Sequence, residues 1–253
     1  MKLLLLFFLL LSVPVSSFTQ DGRVEILLRK ASGLELAKKS ADALSTYQEV
    51  LRVDPKNMSV LCKCSELCSI VGNHQKERAT RNKYFQAARK YAELALKVNP
   101  SWSEANLVMS LAMGRAALIA SGKERIIAVE DIRSYALKAV SYDSTNYKAY
   151  HILGRWCYEV SNLGFFERTA AIILYGGVPK STFLEAIRWY EKSISLAPNF
   201  PLNYLECAKA YEKYGQVKKA ISLLQKMQLM PLITEDDAEI RKEGKALLEK
   251  LGS

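Results

Sequence analysis

The side chains best suited to catalysis in this sequence are two histidines and five cysteines. The histidines are His74 and His151, and the cysteines stand at positions 62, 64, 68, 157 and 207. On a helix, His151 and Cys157 point about 240° apart, so they cannot form a base and nucleophile pair. The Cys-x-Cys-x-x-x-Cys spacing of the first three cysteines fits neither a zinc knuckle nor a thioredoxin-like pair. The pattern favours cysteines that fill a core, with a disulfide among them as the alternative.

Motifs that identify common enzyme classes are missing from the chain. It contains no H-E-x-x-H, no G-x-S-x-G and no P-loop sequence, and neither histidine has a second metal ligand four positions away. We therefore expect a protein that is not an enzyme and that uses no metal and no cofactor.

Anion binding by basic side chains is the chemistry that remains. The chain carries 36 Lys and Arg against 26 Asp and Glu, a formal net charge of +10, which favours acidic partners or anionic surfaces. Guanidinium groups hold carboxylate and phosphate oxygens bidentately. Which of these cations act together depends on the elements that carry them.

Five similar segments make up the chain, and each closes with a helix. The closing helices end at Asp54-Pro55, Asn99-Pro100, Asp143-Ser144, Ala197-Pro198 and Met230-Pro231. Small and aromatic residues recur at fixed offsets before these ends, such as Ala43 and Tyr47 in the first segment and Ala186 and Tyr190 in the fourth. Small residues let two antiparallel helices approach closely, and proline prevents continuation of the helix.

The opening helices carry the complementary half of the pattern. Tyr150, Leu153, Gly154 and Cys157 follow the W-x-x-L-G-x-x-Y spacing of the 34-residue tetratricopeptide repeat. Two repeats exceed this period by about ten residues and the fourth by about twenty. The sequence thus predicts an all-α fold, a right-handed superhelical stack of tetratricopeptide-like hairpins with over-long repeats. Thr234 is placed to cap a closing helix over residues 235–251.

The concave side of such a stack is lined by the first helix of each hairpin. Repeat positions two, five, nine and twelve face this groove, and in the fourth and neighbouring repeats they include several polar residues. The predicted partner site consists of Arg115, Lys148, His151, Arg155, Tyr158, Asn162 and Lys209. Its arginines suit a carboxylate or phosphate group. The structural alternative is that they pair with Glu159 or Glu167 inside the stack.

An apolar insert follows the first helix of the fourth repeat. Gly164 breaks that helix, and Gly176-Gly177-Val178-Pro179 ends the insert before Ser181 or Thr182 starts the next helix. We expect a short extra helix that covers the core. Alternatively, the insert walls off one end of the groove and forms an apolar pocket for an acyl chain or a hydrophobic peptide. The residues of this pocket would be Leu107, Leu111, Phe165, Phe166 and Ile173.

The amino terminus has the composition of a secretory signal peptide. Lys2 is followed by an unbroken apolar run from Leu3 to Leu11, and small residues then suit cleavage after Ser17. The run is too short to span a bilayer, and no later stretch approaches the roughly 20 apolar residues that a membrane helix needs. We expect a signal peptide over residues 1–17 and a single repeat domain over residues 18–253. The mature protein is then exported, periplasmic or secreted, and has no transmembrane helix.

A basic stripe in the second repeat is another candidate surface. Lys76, Lys83 and Lys90 share one face of the expected helix, while Tyr84 and Phe85 share the packing face. Such a stripe is ordinarily a solvated face, and otherwise it meets an anionic membrane surface or an acidic partner. The same pattern argues against nucleic acid as a partner, because buried aromatic rings cannot stack on bases.

The stretch LGRWCYEVSNLGFFERTAA, with the Gly-Gly-x-Pro-Lys turn and the closing helix that follow it, resembles the signature of the regulator of microtubule dynamics family. The segment Met113-Gly114-Arg115-Ala116-Ala117 and the long helix from Gln75 to Asn99 fit the same family. The resemblance covers most of residues 23–250. It implies the tetratricopeptide fold and, in eukaryotic members, association with microtubules, the spindle and organelle membranes. The export signal departs from those members and is similar to that of bacterial periplasmic relatives.

These features favour an exported, non-catalytic binding or scaffold protein. It would engage a protein or peptide partner, acidic in character, through its basic concave groove. A carrier or sensor of an amphipathic, lipid-like ligand is the alternative, with the acyl part against Leu107, Leu111 and the insert and the headgroup on Arg115 or Arg155. A microtubule-associated regulator comes third, because an exported protein would not meet tubulin.

Overall fold

The computed structural model describes residues 16–120, 122–164, 168–169, 172–173, 177 and 179–252. Every regular element within these ranges is an α-helix. The helices are α1 (Ser16–Leu36), α2 (Ser40–Val53), α3 (Met58–Asn73), α4 (Arg78–Val98), α5 (Ser103–Ile119), α6 (Gly122–Tyr142), α7 (Tyr147–Ser161), α8 (Phe183–Leu196), α9 (Pro201–Lys213), α10 (Val217–Gln228) and α11 (Asp237–Gly252). The all-α class predicted from the sequence is confirmed.

Consecutive helices pack as hairpins. The pairs are α1 with α2, α3 with α4, α5 with α6, α7 with α8, and α9 with α10, while α11 covers the last pair. Each hairpin also packs on the next, which builds the predicted right-handed superhelical stack. We call α1, α3, α5, α7 and α9 the first helices, and the concave surface that they line the groove. Among the described residues, no helix combines the length and apolar character needed to cross a bilayer.

One small residue in each first helix sets how closely the second helix approaches. In α3, α5, α7 and α9 this residue lies eight positions after the cap. The row consists of Ala31, Ser65, Ser110, Gly154 and Ala208, all buried. At Gly154 the approach is closest to its limit, because an added Cβ would lie 2.7 Å from Cδ1 of Tyr190 on α8. We call this contact line between the two helices of a hairpin the seam.

The two serines of the row bind the backbone of the second helix. Ser65 Oγ donates to the Ala88 carbonyl at 2.8 Å, and Ser110 Oγ donates to the Ile132 carbonyl at 2.7 Å. The buried hydroxyls are therefore satisfied inside the seam. The small residues predicted in the closing helices face the same seam and are fully buried: Ala43, Ala88, Ala136 and Ala186.

A second row lies five positions after the same caps and is buried against neighbouring hairpins. Its members are Cys62, Leu107, His151 and Leu205, none of them more than 8% exposed. Leu107, for example, packs with Ala149 and Leu153. The neighbouring hairpin covers this row, so the fifth position after the cap, which was expected to face the groove, belongs to the core.

The five cysteines are buried free thiols. Burial raises the pKa of the Cys64 and Cys68 thiols to about 12. The reactive form of cysteine is the thiolate, so these thiols are packing groups. The expectation that the cysteines fill the core is confirmed.

Two of the helix starts expected from the sequence have different outcomes. Thr182 caps α8 as expected, through a capping box with Glu185. Thr234 does not cap α11, which begins at Asp237. Instead, the Asp237 carboxylate accepts the Ile233 N–H at 2.6 Å, the Thr234 N–H at 2.8 Å and the Thr234 hydroxyl at 2.6 Å. An aspartate inside the helix thus holds the preceding turn.

We expect Gly154→Ala to lower the free energy of unfolding by about 1–3 kcal/mol, because the added methyl group overlaps the Tyr190 ring. Gly114→Ala is the matched control. Its Cβ meets nothing within 4 Å, so helix propensity should raise stability by up to about 1 kcal/mol. Urea unfolding followed by circular dichroism measures both variants, and equal effects would contradict the role assigned to the seam.

Candidate partner-binding groove

A row of side chains nine positions after each cap lines the centre of the groove. Its members are Glu66, Leu111, Arg155 and Lys209. Arg155 is exposed and the other three are half-buried. Along the stack, the row therefore changes from acidic through apolar to basic.

Ion pairs connect the first helices at the amino-terminal end of the groove. Lys63 Nζ of α3 lies 2.8 Å from Glu35 Oε2 of α1, and Tyr47 Oη donates to the other oxygen of Glu35 at 2.5 Å. Lys148 of α7 donates to Glu66 of α3, two hairpins away. Because this contact passes over α5, the groove is narrow at this end.

The Glu66–Lys148 pair depends on the charge of both members. Burial opposes ionisation of Glu66, but the charge and hydrogen bond of Lys148 and the charge of Lys63 lower the pKa of the carboxyl group below its ordinary value. Burial also opposes the charge of Lys148, yet Glu66 raises the pKa of its amine. An ammonium group held in this way is not available to a partner.

Lys209 is held in the same manner at the other end of the groove. Its Nζ lies 2.8 Å from Glu206 Oε1 and 2.9 Å from Glu243 Oε1 on α11. Two of the predicted groove cations, Lys148 and Lys209, are therefore neutralised within the chain. The physical reason is that α3 brings Glu66 to Lys148, while Lys209 meets Glu206 of its own helix and Glu243 of α11.

His151 does not face the groove, contrary to the sequence prediction. It is 8% exposed, and its Nδ1 lies 2.6 Å from Asn203 Oδ1 on α9. The ring packs against Tyr190 and Phe200 at centroid distances of 5.6 and 5.5 Å. Burial lowers the pKa of His151 below its ordinary value of 6.5, so the imidazole belongs to the interface between the last two hairpins.

Arg115 on α5 and Arg155 on α7 are near enough for the charge of one to act on the other. The Arg115 guanidinium is partly buried and lies 5.7 Å from the centroid of the Phe85 ring. Burial lowers the pKa of Arg115 to about 10, the charge of Arg155 adds to this effect, and Asp236 opposes it. Arg155 Nε lies 3.8 Å from Glu159 Oε1, which exceeds a hydrogen-bond distance. The alternative partner Glu167 lies outside the described residues.

Two further predicted site residues flank this arginine pair. Tyr158 is half-buried and packs on Phe183 with ring centroids 5.6 Å apart. Asn162 is the C-cap residue of α7 and is exposed. Both lie on the carboxyl-terminal half of α7, next to Arg155 along the chain.

Of the predicted apolar pocket residues that the structure describes, Leu107 and Leu111 pack together in the core and Ile173 stands apart from them in solvent. Leu107 is fully buried in the core, Leu111 is half-buried beside it, and Ile173 is 74% exposed. Leu107 fails as a pocket residue because its row is covered by the next hairpin. Phe165 and Phe166 lie outside the described residues. Arg168, Thr169, Ile172 and Ile173 are helical, in agreement with the short helix expected there.

A segment for which the sequence predicted no contact crosses from the last hairpin to the first two. We call residues 230–236, which join α10 to α11, the strap. Lys38 Nζ donates to the Leu232 carbonyl at 3.1 Å, and the Ser40 N–H donates to Glu235 Oε1 at 3.1 Å. His74 Nε2 lies 2.7 Å from Asp236 Oδ1. The acidic run that begins at Glu235 was the one sign of this contact in the sequence.

Solved structures define the class of protein to which this fold and groove belong. The thermophilic tetratricopeptide-repeat protein TTC0263 of Thermus thermophilus superposes with a TM-score of 0.64 at 15% identity, covering 89% of this chain and 99% of that one. PilF of Pseudomonas aeruginosa superposes with a TM-score of 0.57 at 12% identity, covering 92% and 90%. The chain is a tetratricopeptide-type helical-repeat scaffold.

Within this class, the chain belongs to the regulator of microtubule dynamics protein 1-3 family, which matches residues 27–252. It is 29% identical over 176 residues to regulator of microtubule dynamics protein 3 of Xenopus laevis, covering 69% of this chain and 37% of that protein. It is 30% identical over 162 residues to regulator of microtubule dynamics protein 1 of Mus musculus, covering 64% and 53%. The matches thus span about half the length of these relatives or less. The family expected from the LGRWCYEVSNLGFFERTAA stretch is confirmed.

The Glu66–Lys148 pair should stabilise the fold more than an exposed pair does. In a double-mutant cycle of Glu66→Gln and Lys148→Met, we expect a coupling free energy of about 1–3 kcal/mol, since either partner left alone keeps a half-buried charge. Lys245 and Glu249 are 3.9 Å apart and 70% and 69% exposed, and their cycle should give about 0.3 kcal/mol. Urea unfolding measures both cycles. A coupling no larger than that of the control would show that the pair does not hold the groove together.

The buried His151 should make stability depend on pH. Because burial lowers its pKa in the folded state below 6.5, the unfolded chain binds a proton at a higher pH than the folded chain does. The free energy of unfolding should therefore decrease as the pH falls from 6.5 towards the lowered value, and level off below it. His151→Gln should remove this component. Urea unfolding over a pH series checks it, and an identical pH profile in the variant would contradict it.

Proposed function

We propose that this chain is a non-catalytic interaction scaffold that holds a protein or peptide partner in the groove at Arg115, Arg155 and Tyr158. The observation that carries the proposal is the pair of arginines on neighbouring first helices. The side chain of Arg155 is 53% exposed, and its paired carboxylate on Glu159 stands 3.8 Å away. Lys148 and Lys209, by contrast, are committed to ion pairs within the chain.

The chemistry of the partner follows from the repulsion between the two guanidinium groups. The charge of Arg155 lowers the pKa of Arg115, so an anion placed between them relieves an unfavourable interaction. Guanidinium groups bind carboxylate and phosphate oxygens with two parallel hydrogen bonds. We therefore expect the partner to present an acidic side chain or a phosphate at this point.

Apolar side chains beside the arginines add area to such a contact. Leu111 occupies the row of Arg155 on the preceding hairpin, and it is half-buried. The Tyr158 ring is fixed against Phe183, so little side-chain freedom is lost when a partner packs on it. A peptide with an apolar residue next to an acidic one suits this surface.

The two other functions expected from the sequence have less support. A lipid carrier needs an enclosed apolar pocket, and Leu107 and Ile173 are respectively inside the core and in solvent. The names of the Xenopus laevis and Mus musculus relatives connect them with microtubule dynamics. Since the chain matches about half of these proteins or less, we propose that it shares their interaction module. Tubulin becomes the partner to test if the chain from native cells keeps its first 17 residues, because an exported protein would not meet it.

Export of the protein is part of the same proposal. It is supported by the composition of residues 1–17, where Lys2 precedes an apolar run and small residues end at Ser17. Sequencing the amino terminus of the protein from its native cells tests it. A mature chain that begins at Phe18 is expected, and a chain that begins at Met1 would overturn the proposal.

Reversal of one groove charge should abolish partner binding. In cross-linking capture from the native compartment, we expect Arg155→Glu to recover at least about tenfold less partner than the wild type, because the new carboxylate repels an anionic group. Arg188→Glu is the matched control, since Arg188 is an exposed arginine on α8, outside the groove. Binding should also weaken as salt is added.

The outcomes of the capture separate the candidate functions. Equal recovery by the wild type and Arg155→Glu would overturn the groove as the partner site. Mass spectrometry of the purified protein tests the lipid alternative, which requires a lipid bound in stoichiometric amount. Cosedimentation with microtubules tests tubulin directly, with Arg155→Glu as the variant that should fail if the groove makes the contact.

A further inference from the structure

The strap places two consecutive carboxylates in a polar site on the first two hairpins. We call this site the cradle, and it consists of Lys38, Ser40 and His74, with Arg115 close enough for Asp236 to raise the pKa of its guanidinium. The contacts join residues 162 to 195 positions apart. The carboxylates of Glu235 and Asp236 thus lie in a site built by other hairpins.

Glu235 occupies the amino terminus of α2. Its Oε1 accepts the N–H of Ser40, the first residue of that helix, and its Oε2 lies 3.6 Å from His74 Nδ1. Lys39, the residue before the helix, makes no side-chain cap. The first N–H groups of a helix need acceptors and favour negative charge. The carboxylate that meets this need comes from the strap and not from the hairpin that contains α2.

Lys38, which follows the end of α1, also binds the strap. Its backbone has φ 58°, the left-handed conformation in which glycine is the usual residue at a helix end. A lysine is unfavourable there, but its Nζ reaches the Leu232 carbonyl at 3.1 Å. The side chain supplies a donor to the backbone carbonyl of Leu232, which glycine could not do.

The strap is held by polar contacts and not by burial of its apolar side chains. Leu232 and Ile233 are 41% and 56% exposed, and Leu229, just before the strap, is 88% exposed. The His74 and Asp236 side chains are 43% and 49% exposed. Exposed ion pairs contribute little to stability and are screened by salt. The strap can therefore leave the cradle at a small cost in free energy.

We propose that the cradle is a recognition site for a peptide segment with two consecutive carboxylates, and that the strap occupies it in the free protein as an intramolecular competitor. This rests on the proposed function and names the class of partner. The strap shows how such a segment binds: one carboxylate on the α2 terminus, the next on His74, and a backbone carbonyl on Lys38. Because the strap is tethered, its effective concentration at the cradle is high. The apparent affinity for a partner is then the intrinsic affinity multiplied by the fraction of chains whose cradle is open.

The test uses the full-length chain and a fluorescent peptide with the sequence of residues 231–239, PLITEDDAE. Glu235→Ala/Asp236→Ala frees the cradle and keeps Asp237, which holds the start of α11. We expect this variant to bind the peptide at least about tenfold more tightly than the wild type in fluorescence anisotropy, because the competitor is lost. Addition of His74→Ala should abolish the gain.

A matched control removes the same charge elsewhere. Glu239→Ala/Glu249→Ala deletes two exposed carboxylates of α11 and should bind the peptide as weakly as the wild type does. An equal gain in this control, or no gain in a folded strap variant, would overturn the proposal. If the alanine variant fails to fold by circular dichroism, Glu235→Gln/Asp236→Asn replaces it, with the same expectations.

Failure of the cradle and failure of the proposed function give different results. If the strap variant gains no affinity for the peptide while partner capture depends on Arg155, the cradle is wrong and the proposed function stands. If the strap variant gains affinity while capture is indifferent to Arg155→Glu, the cradle stands and the assignment of the partner to Arg155 is wrong.

Discussion

The close approach of the two helices in each hairpin is the constraint on which the rest of the structure depends. It requires a side chain no larger than serine at one point of every first helix, and at Gly154 it leaves no room for a single methyl group beside Tyr190. At this short separation, the hydroxyls of Ser65 and Ser110 donate hydrogen bonds to the backbone of the second helix. The next hairpin covers the row that contains Leu107 and His151, so this row is interior.

Contacts between helices also decide the electrostatics of the groove. Lysines of the first helices meet carboxylates on other helices, as Lys148 meets Glu66 and Lys209 meets Glu243. The excess positive charge of the chain is therefore not concentrated along the groove. Arg115 and Arg155 are the groove cations whose charges act on each other, so in the proposed function a partner is selected by the position of one anionic group more than by its total charge.

The fold was predictable from the sequence because each repeat carries the small residues that form its own seam. Ala43, Ala186 and Gly154 keep the same offsets in successive copies, and Thr182 with Glu185 forms a cap from residues that are neighbours in the chain. The burial of His151 was not predictable, since it depends on how the over-long repeats pack on one another. The partners of Lys148 and Lys209 and the contacts of the strap join hairpins far apart in sequence, and local periodicity carries no information about them.

The contact between Leu232 and Lys38 has a consequence for how the molecule unfolds. Repeat stacks are ordinarily one-dimensional: each unit touches only its neighbours, and terminal units fray independently of the middle. Here residues of the last connection bind the first two hairpins, so the array is closed upon itself. Loosening of either end then reaches the other through these exposed polar contacts, so the two ends of the array are weakly coupled.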